Sequence, residues 1–282
     1  MKQFDPGLHR ELTALLHGGG IEDAALEAKW ILEDAATAED ARRIAQRRAE
    51  HEPLQYLLGK WEFYGLPFYV GAGVLIPRAD TETLVDAVLS ALNGSRGKQI
   101  LDLCTGSGCI ALALAAHLPE CRIAGLENSP DALRYAVRNQ AALGLQNAQM
   151  LAADVLAPET AAQYHSLAAV VSNPPYLTAE DMLHLQQEVT FEPSAALDGG
   201  NDGLHFYREI TRLWGDALAE DGLLAYEVGI HQAKDVAAIL SRSGFGSIAC
   251  IRDAGGIERV VLGRKRSADG TASAESSGKG SK

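Results

Sequence analysis

The sequence predicts an α/β fold, with a mainly parallel, Rossmann-like sheet of seven strands and a small helical domain at its N-terminus. Three observations predict this fold. After residue 97, apolar strand-like runs alternate with helical segments, a pattern typical of parallel sheets with helical crossovers. The last two runs are too close together for a helical crossover and should form an antiparallel hairpin. The first fifty residues have helical periodicity.

The predicted helical domain occupies residues 1–57. Leucines at positions 8, 12, 15 and 16 recur at helical spacing, and a second apolar set covers residues 41–49. Between these two sets, glycines at residues 18–20 end the first helix, and another helix follows them. Residues 58–80 combine aromatic and β-branched residues with glycine and proline, which predicts a hairpin-like connector. The α/β domain is expected over residues 81–266, and residues 267–282 are expected to be disordered because they contain no large apolar residue.

Seven strands and four helices are predicted in the α/β domain from the period of the apolar residues. The strands are Gln99–Leu103, Arg122–Leu126, Ala148–Ala152, Ala168–Ser172, Leu223–Val228, Ser247–Arg252 and Glu258–Gly263. The helices are Ile110–His117, Pro130–Leu143, Gly203–Ala219 and His231–Ser243.

The composition narrows the class of protein. Of 282 residues 47% are hydrophobic, which is ample for a packed core, yet no apolar run approaches the length of a membrane span and the start does not resemble a signal peptide. We therefore expect a cytoplasmic protein. The four cysteines fit neither a zinc spacing nor a disulfide framework, so no metal is expected. The net charge of −12 disfavours nucleic acid as a substrate; it would suit a basic protein partner, or simply keep the chain soluble.

The stretch ILDLCTGSGCIALALA reads as a strand, a turn of small residues and a helix. Gly106 and Gly108 allow a tight turn that approaches a ligand closely, and the helix that follows offers free amide donors. Glu127 comes nineteen residues after Gly108, at the predicted end of the second strand, where its carboxylate can accept hydrogen bonds from ribose hydroxyls. Together these residues predict a site for an adenosine-containing cofactor.

The identity of that cofactor depends on two carboxylates. Gly106, Gly108 and Ala111 also satisfy the dinucleotide fingerprint, which keeps a nicotinamide-dependent oxidoreductase open. Asp102, just before the turn, would repel a pyrophosphate but could meet the cationic methionine part of S-adenosylmethionine. Asp154 follows the third strand and is placed to approach an adenine amino group, with a surface-loop aspartate as the alternative. These two residues favour S-adenosylmethionine.

The fourth strand ends in the uncharged sequence Asn173-Pro174-Pro175-Tyr176. The prolines restrain the backbone and lack N–H groups, so their carbonyl oxygens stay available. The Asn173 side-chain oxygen and the Pro174 carbonyl oxygen could accept the two N–H groups of a planar, weakly nucleophilic amino group and hold its nitrogen in line with a sulfonium methyl. Tyr176 could pack against that planar group. Adenine N6, cytosine N4 and a glutamine amide all fit this description; a turn with Tyr176 in the core is the structural alternative.

Several sequence blocks resemble the HemK/PrmC family of release factor glutamine N5-methyltransferases. They are EPLQYLLG, WEFYG, IPRADTE, DLCTGSGCIALALA, NPPY, FEPSAALDGGNDGLHFYR and DAGGIERVV. The resemblance extends to about residue 264. It implies a class I S-adenosylmethionine-dependent methyltransferase fold, a helical domain that recruits the substrate, and methylation of the glutamine in the Gly-Gly-Gln motif of peptide chain release factors, with S-adenosylhomocysteine as the product.

The same resemblance assigns roles to individual positions. It places the cofactor loop at Cys104, Thr105, Gly106, Ser107 and Gly108, and the substrate site at residues 173–176. By the same resemblance Glu127 is the ribose ligand, and Val155 beside Asp154 is the adenine-side position.

Three of these positions depart from the usual pattern of the family. The family usually has glycine at Cys104, commonly aspartate at Glu127, and often an aromatic near Val155, so we expect an altered cofactor affinity. Arg78, on the connector, is expected to form a salt bridge between domains or to touch a ligand. The alternatives to a release factor are a ribosomal protein glutamine or a nucleic-acid amino group as acceptor, and a binding module without enzymatic activity.

Overall fold

The computed structural model describes residues 6–266, so the predicted disorder of residues 267–282 lies outside the described residues. The chain begins with four helices: α1 (Pro6–Gly18), α2 (Ala24–Asp34), α3 (Ala38–Ala49) and α4 (Leu54–Leu58). Their apolar faces form one buried cluster that includes Leu12 and Ile31. A Cβ on Gly19 would lie 2.6 Å from the Ala49 carbonyl oxygen, so α1 and α3 can approach this closely only with glycine there. The helical N-terminus is confirmed.

A two-stranded hairpin follows the helices. Strand β1 (Lys60–Phe63) pairs antiparallel with β2 (Leu66–Tyr69), as the sequence predicts for the connector. Phe63 and Phe68 are fully buried in the core of the large sheet, whereas Trp61 packs edge-on against Trp30 of α2. The hairpin therefore contacts both the helices that precede it and the sheet that follows. The domain bounds at residues 57, 80 and 266 stay predictions.

The remaining seven strands form one sheet. They are β3 (Gln99–Leu103), β4 (Arg122–Glu127), β5 (Ala148–Ala152), β6 (Leu167–Ser172), β7 (Leu218–Glu227), β8 (Phe245–Arg252) and β9 (Glu258–Lys265). Their order is β5-β4-β3-β6-β7-β9-β8, with β3 to β7 parallel and β9 antiparallel to both of its neighbours. The seven strands and the closing hairpin are confirmed.

Helices cover both faces of this sheet. They are α5 (Glu82–Ala91), α6 (Cys109–His117), α7 (Pro130–Leu143), α8 (Pro158–Ala161), α9 (His205–Trp214) and α10 (Ala233–Arg242). Alternate residues of each strand enter opposite layers, so Ile100 packs with α5 and α6 while Leu101 packs with α9 and α10. No helix among residues 6–266 is long and apolar enough to cross a membrane.

One boundary between a helix and a strand is wrong in the prediction. Helix α9 ends at Trp214, not at Ala219, and β7 begins at Leu218, five residues before the predicted start at Leu223. The indole N–H of Trp214 donates to the Val155 carbonyl, which anchors the end of the helix. The pairing of β6 with β7 then begins at Leu218 and is interrupted by an irregularity before it resumes at Leu223. Helix α5 lies outside the predicted helices, although its buried positions have helical spacing.

The strand order reverses between β3 and β6. The chain moves from β3 outward through β4 to β5, and then returns to the other side of β3 with β6. Ligands of open α/β sheets bind at this kind of reversal, outside the carboxyl ends of the strands. Cys104, Glu127 and Asn173 lie at these ends of β3, β4 and β6.

Candidate active site

A cavity of about 350 Å³ opens at the carboxyl ends of these strands. The predicted site residues that line it are Cys104, Thr105, Gly106, Glu127, Asp154, Val155, Asn173 and Pro175. The loop after β3, the ends of β4 and β5 and the segment after β6 therefore meet at one place. The remaining predicted site residues, Asp102, Ser107, Gly108, Pro174 and Tyr176, lie behind this lining.

The loop after β3 owes its shape to three residues with positive φ: Cys104, Gly106 and Gly108. The Thr105 amide donates to the Leu126 carbonyl at 3.0 Å, which holds the loop against the end of β4. A Cβ on Gly106 would meet open space, so this residue is glycine for its backbone conformation and its nearness to the cavity. Cys104 adopts a left-handed conformation in which a residue with a Cβ costs roughly 1 kcal/mol, and this position is where the sequence departs from the glycine of the family it resembles.

Asp102 lies fully buried beneath this loop. Its Oδ2 accepts hydrogen bonds from the Thr105 hydroxyl at 2.5 Å and from the Ala111 amide at 3.2 Å, so it ties the loop to the first turn of α6. Its Oδ1 has no hydrogen-bond partner among residues 6–266. Burial raises the pKa of Asp102 to about 7, because no cation compensates for its desolvation.

Glu127 holds the rim of the cavity with both carboxylate oxygens. Oε2 accepts from the Gly106 amide and Oε1 from the Ser129 amide, each at 2.8 Å. Each oxygen keeps a further lone pair that can accept a hydrogen bond from a hydroxyl group. Asp154 is exposed and uses Oδ1 to accept from the Leu156 amide at 2.9 Å, so its other oxygen is the one available to a ligand.

The segment after β6 is fixed from behind. The Ser172 hydroxyl donates to the Leu103 carbonyl at 2.7 Å, which joins the ends of β6 and β3. Asn173 is half-buried and its Nδ2 donates to the Thr81 hydroxyl at 3.4 Å. Pro174 is buried, and Pro175 reaches the cavity wall.

Tyr176 turns away from the cavity and packs against the core beneath α9 and α10. Burial raises the pKa of Tyr176 to about 12, so it stays a neutral phenol at physiological pH. Its carbonyl accepts from Gln232 Nε2 at 2.9 Å. A Cβ on Gly199 would lie 2.7 Å from the Tyr176 Cα, so residues 197–199 pack backbone to backbone on this segment.

Several residues that the sequence does not predict as site residues also line the cavity. They are Gly73, Val74, Leu75, Cys109, Ile110, Leu126, Asn128, Ser129, Ala132, Leu156, Pro193, Ala195, Ala196 and Phe206. The connector supplies the first three and residues 193–206 supply the last four. Arg78 joins these two regions, because it pairs with buried Glu192, which also accepts from the Ile76 amide at 2.9 Å. Residues 193–206 belong to one of the quoted sequence blocks, which is the signal for that region, whereas Gly73, Val74 and Leu75 lie between two blocks and have no such signal.

The chemistry of the lining fits a cationic nucleoside better than a dinucleotide. Cavities of about 300 to 1,000 Å³ suit small-molecule ligands. Two lining residues, Glu127 and Asp154, are carboxylates, and none of the described lining residues is Lys or Arg. The Gly106 amide, which a phosphate would need, already donates to Glu127. The residues therefore fit S-adenosylmethionine. No group of three or more His, Cys, Asp or Glu side chains within residues 6–266 is arranged to hold a metal ion.

Comparisons with known proteins agree with this geometry. The family model "Methyltransferase small domain" matches residues 78–200. The chain is 42% identical to a release factor glutamine methyltransferase of Thermodesulfovibrio yellowstonii, over 81% of this chain and 82% of that protein. It is 40% identical to the enzyme of the same name from Geobacter sulfurreducens, over 87% and 91%.

A solved structure supports the fold. The 16S rRNA N2 G1207 methyltransferase of T. thermophilus, in complex with AdoMet and guanosine, superposes with a TM-score of 0.51 at 18% identity, covering 73% of this chain and 50% of that one. At this identity the likeness extends to the fold alone. The curated relatives, each matched over most of both chains, decide the family. The chain belongs to the release factor glutamine methyltransferase family.

Proposed function

We propose that this protein transfers a methyl group from S-adenosylmethionine to the side-chain amide nitrogen of the glutamine in the Gly-Gly-Gln motif of peptide chain release factors. Membership of the family supports the substrate. The observation that carries the chemistry is that Asn173 and Pro175 of the uncharged segment line an acidic, nucleoside-sized cavity. Such a segment can orient a neutral amide, whereas it offers nothing to stabilise a charged nucleophile.

The cofactor is S-adenosylmethionine in this proposal, and when bound it supplies a methyl group on a sulfonium cation. Glu127 would accept the ribose hydroxyls with the lone pairs that the Gly106 and Ser129 amides leave free. Asp154 and Val155 would hold the adenine. Asp102 would act from below by fixing the loop through its hydrogen bonds with Thr105 and Ala111.

Asn173 and Pro174 position the substrate. A glutamine amide nitrogen has two N–H groups and a lone pair delocalised into its carbonyl, so it is a poor nucleophile. Asn173 Oδ1 and the Pro174 carbonyl oxygen would accept one N–H each and hold the nitrogen at reactive distance, which is worth several orders of magnitude when the geometry is right. The nitrogen would gain the methyl carbon as the bond between that carbon and sulfur breaks, with the electron pair staying on sulfur. The methylated nitrogen, now acidic, would then lose one proton to solvent.

The apolar lining protects the reacting groups. Val155, Leu156, Pro193 and Phe206 surround the cavity with side chains that cannot hydrogen-bond water. Excluding water favours transfer to the amide over hydrolysis and strengthens each hydrogen bond made to the substrate. The proposed partner is a release factor, which places the enzyme in the cytoplasm and requires neither a membrane nor direct binding of nucleic acid.

A methyl-transfer assay tests the proposal. The protein is incubated with S-adenosylmethionine and a purified release factor, and the added mass is mapped by peptide mass spectrometry. A release factor in which the Gly-Gly-Gln glutamine is alanine is the matched control, and a ribosomal protein and an RNA oligonucleotide test the other acceptors. We expect one methyl group, on that glutamine alone. Methylation of either other acceptor in its place would refute the proposed substrate.

A further inference from the structure

Glu227 is a buried carboxylate next to the proposed substrate site, and the mechanism above gives it no role. It is the last residue of β7, which lies beside β6 in the sheet. Ser172 of β6 pairs in register with Tyr226 of β7, so Asn173 and Glu227 are the next residues of two adjacent parallel strands. Only 2% of Glu227 is exposed. Its position alone therefore brings a carboxylate up against Asn173.

Thr81, at the start of α5, is the third residue of a cluster that it forms with Asn173 and Glu227. Val171 and Ala225 belong to the core layer beneath α5, so Asn173 and Glu227, two residues further along each strand, extend toward the same layer. Thr81 lies at the start of α5, is buried, and does not use its hydroxyl to cap that helix. That hydroxyl is the group to which Asn173 Nδ2 donates at 3.4 Å.

The Glu227 side chain forms hydrogen bonds with Thr81 and Asn173, and the chemistry of the three groups decides which of them donates. An ionised carboxylate only accepts, so the Thr81 hydroxyl and Asn173 Nδ2 must be the donors toward Glu227. Hydrogen bonding with both residues favours the charged form of Glu227 by lowering its pKa, against the effect of burial. With its O–H directed at Glu227, the Thr81 oxygen can only accept from Asn173 Nδ2. No described residue donates to Asn173 Oδ1, which is thus left for the cavity.

We propose that Glu227 is a positioning residue, whose ionised carboxylate fixes the Asn173 amide with Oδ1 toward the substrate through direct and Thr81-mediated hydrogen bonds. This inference rests on the proposed function, because it assumes that Asn173 Oδ1 accepts the substrate N–H. Without a fixed acceptor, the two ends of the Asn173 amide are nearly the same size and can exchange places. A reversed amide would present Nδ2, a donor, to the N–H of the glutamine.

Protonation of Glu227 would release this constraint. A protonated carboxyl can donate to Asn173 Oδ1 and so stabilise the reversed amide. Burial raises the pKa of Glu227 to about 7, with Asp80 acting in the same direction and Arg259 in the opposite one. The enzyme should thus be active with Glu227 ionised, and its rate should rise as pH rises through about 7.

Charged and hydroxyl groups of several other elements face Glu227. Arg259 of β9 lies between Asp80 at 3.1 Å and Asp253 at 3.3 Å. Tyr207 of α9 donates its hydroxyl to the Glu227 carbonyl at 2.9 Å, and burial raises the pKa values of Tyr176, Tyr207 and Cys109. These last three groups stay neutral. Burial also raises the pKa of Asp102, on the neighbouring strand β3, to about 7, so a titration is assigned to Glu227 only if it is lost in Glu227→Gln and kept in Asp102→Asn.

A spectroscopic experiment tests the inference without the reaction. The Asn173 side-chain NH₂ signal is assigned in ¹⁵N-asparagine-labelled protein by its absence in Asn173→Ala, and its shift is followed from pH 5.5 to 9. We expect a titration with a midpoint near pH 7 in the wild type and none in Glu227→Gln. The same titration in both proteins, or in neither, would overturn the inference.

A kinetic experiment follows the same pair of proteins on a release factor. Glu227→Gln keeps the size but can donate through Nε2, so we expect kcat at pH 8.5 to fall by about 10- to 100-fold, with KM and cofactor affinity within about twofold, and the rise of rate with pH to disappear. Thr81→Val should lower kcat in the same way, and Thr81→Ser, which restores the hydroxyl, should recover it.

The outcomes separate this inference from the proposed function. If the wild type does not methylate the release factor, the proposed function fails, while the NMR titration still decides whether Glu227 orients Asn173. If the wild type is active and Glu227→Gln matches it in kcat and pH profile, this inference alone fails. Should Glu227→Gln not fold, the Thr81 pair and the wild-type titration decide.

Discussion

The loop after β3 and the segment after β6 lie side by side in the sheet, and each covers a buried carboxylate. Asp102 lies beneath the loop and Glu227 beneath the segment; burial raises the pKa of each to about 7, and each keeps one oxygen without a partner among residues 6–266. The partners of Asp102, Thr105 and Ala111, belong to its own loop and helix. The carboxylate of Glu227 interacts with residues from three other elements.

This difference indicates how each half of the site is built. The cofactor loop is a local structure whose turn, helix start and supporting carboxylate come from ten consecutive residues. The substrate segment takes its shape from the connector, β7, β9 and residues 197–203 as well. Changes to the first half should therefore alter cofactor binding, and changes to the second should alter turnover.

The strongest test of this division is Asn173→Ala. We expect kcat to fall by roughly 10³-fold, because the variant loses an acceptor that positions the reacting nitrogen, while the dissociation constant for S-adenosylmethionine stays within about twofold. Kinetics with a release factor and calorimetry with the cofactor measure the two effects. The exposed Asn93→Ala is the control. Loss of cofactor binding in Asn173→Ala would remove Asn173 from the substrate half.

The complementary change in the cofactor half is Glu127→Ala. Removing the carboxylate that would accept a ribose hydroxyl should weaken cofactor binding by about 10- to 100-fold, since the loss of one hydrogen bond to a charged group costs roughly 1.5–3 kcal/mol. At saturating cofactor, kcat should change far less. Calorimetry and saturation kinetics check this, with Glu127→Asp as the conservative control. An unchanged dissociation constant together with a reduced kcat would reverse the proposed roles.

Gly199→Ala tests the backbone contact between Gly199 and the substrate segment at Tyr176. A Cβ would lie 2.7 Å from the Tyr176 Cα, so the backbone must shift, and we expect a loss of about 1–3 kcal/mol in the free energy of unfolding with a lower kcat. Gly18→Ala is the matched control, because a Cβ there meets open space at a helix end. Urea unfolding and kinetics measure both. If the two variants behaved alike, the backbone contact would have no role.

The smallest expected effect concerns the carboxylate of the loop. The folded-state pKa of Asp102 is raised, so folding binds a proton, and this contribution to stability is full below the unfolded pKa near 4 and is lost as pH rises through about 7. Between pH 6 and 8 the free energy of unfolding should therefore fall by about 1 kcal/mol from this group. In Asp102→Asn this part of the decline should vanish, as urea titrations at several pH values would show. A decline that is equally steep in the variant would contradict the burial argument.

Local chemistry was predictable from the sequence, and distant assembly was not. The strand, turn and helix of residues 99–117 are contiguous, and Glu127 follows at a spacing that strand geometry dictates. The partnership of Thr81, Asn173 and Glu227 has no signature, because 92 residues separate Thr81 from Asn173 along the chain and register alone brings Glu227 beside them. The end of α9 was misplaced because Trp214 and Leu218 fit a helical spacing until the tertiary contact of Trp214 stops the helix.

Because the pairing of β6 with β7 contains an irregularity, the length of the chain before it does not set the register of the strands after it. Leu167 pairs with Leu218 and Ala169 with Leu223, so between these two pairs the chain advances by five residues in β7 and by two residues in β6. Beyond that point both faces of β7 are buried, and a slip by one residue would exchange its two faces. An insertion or deletion within residues 219–222 should be absorbed by the irregularity and leave the far end of β7 in place. During evolution this part of the sheet can thus change length while Glu227 stays beside Asn173.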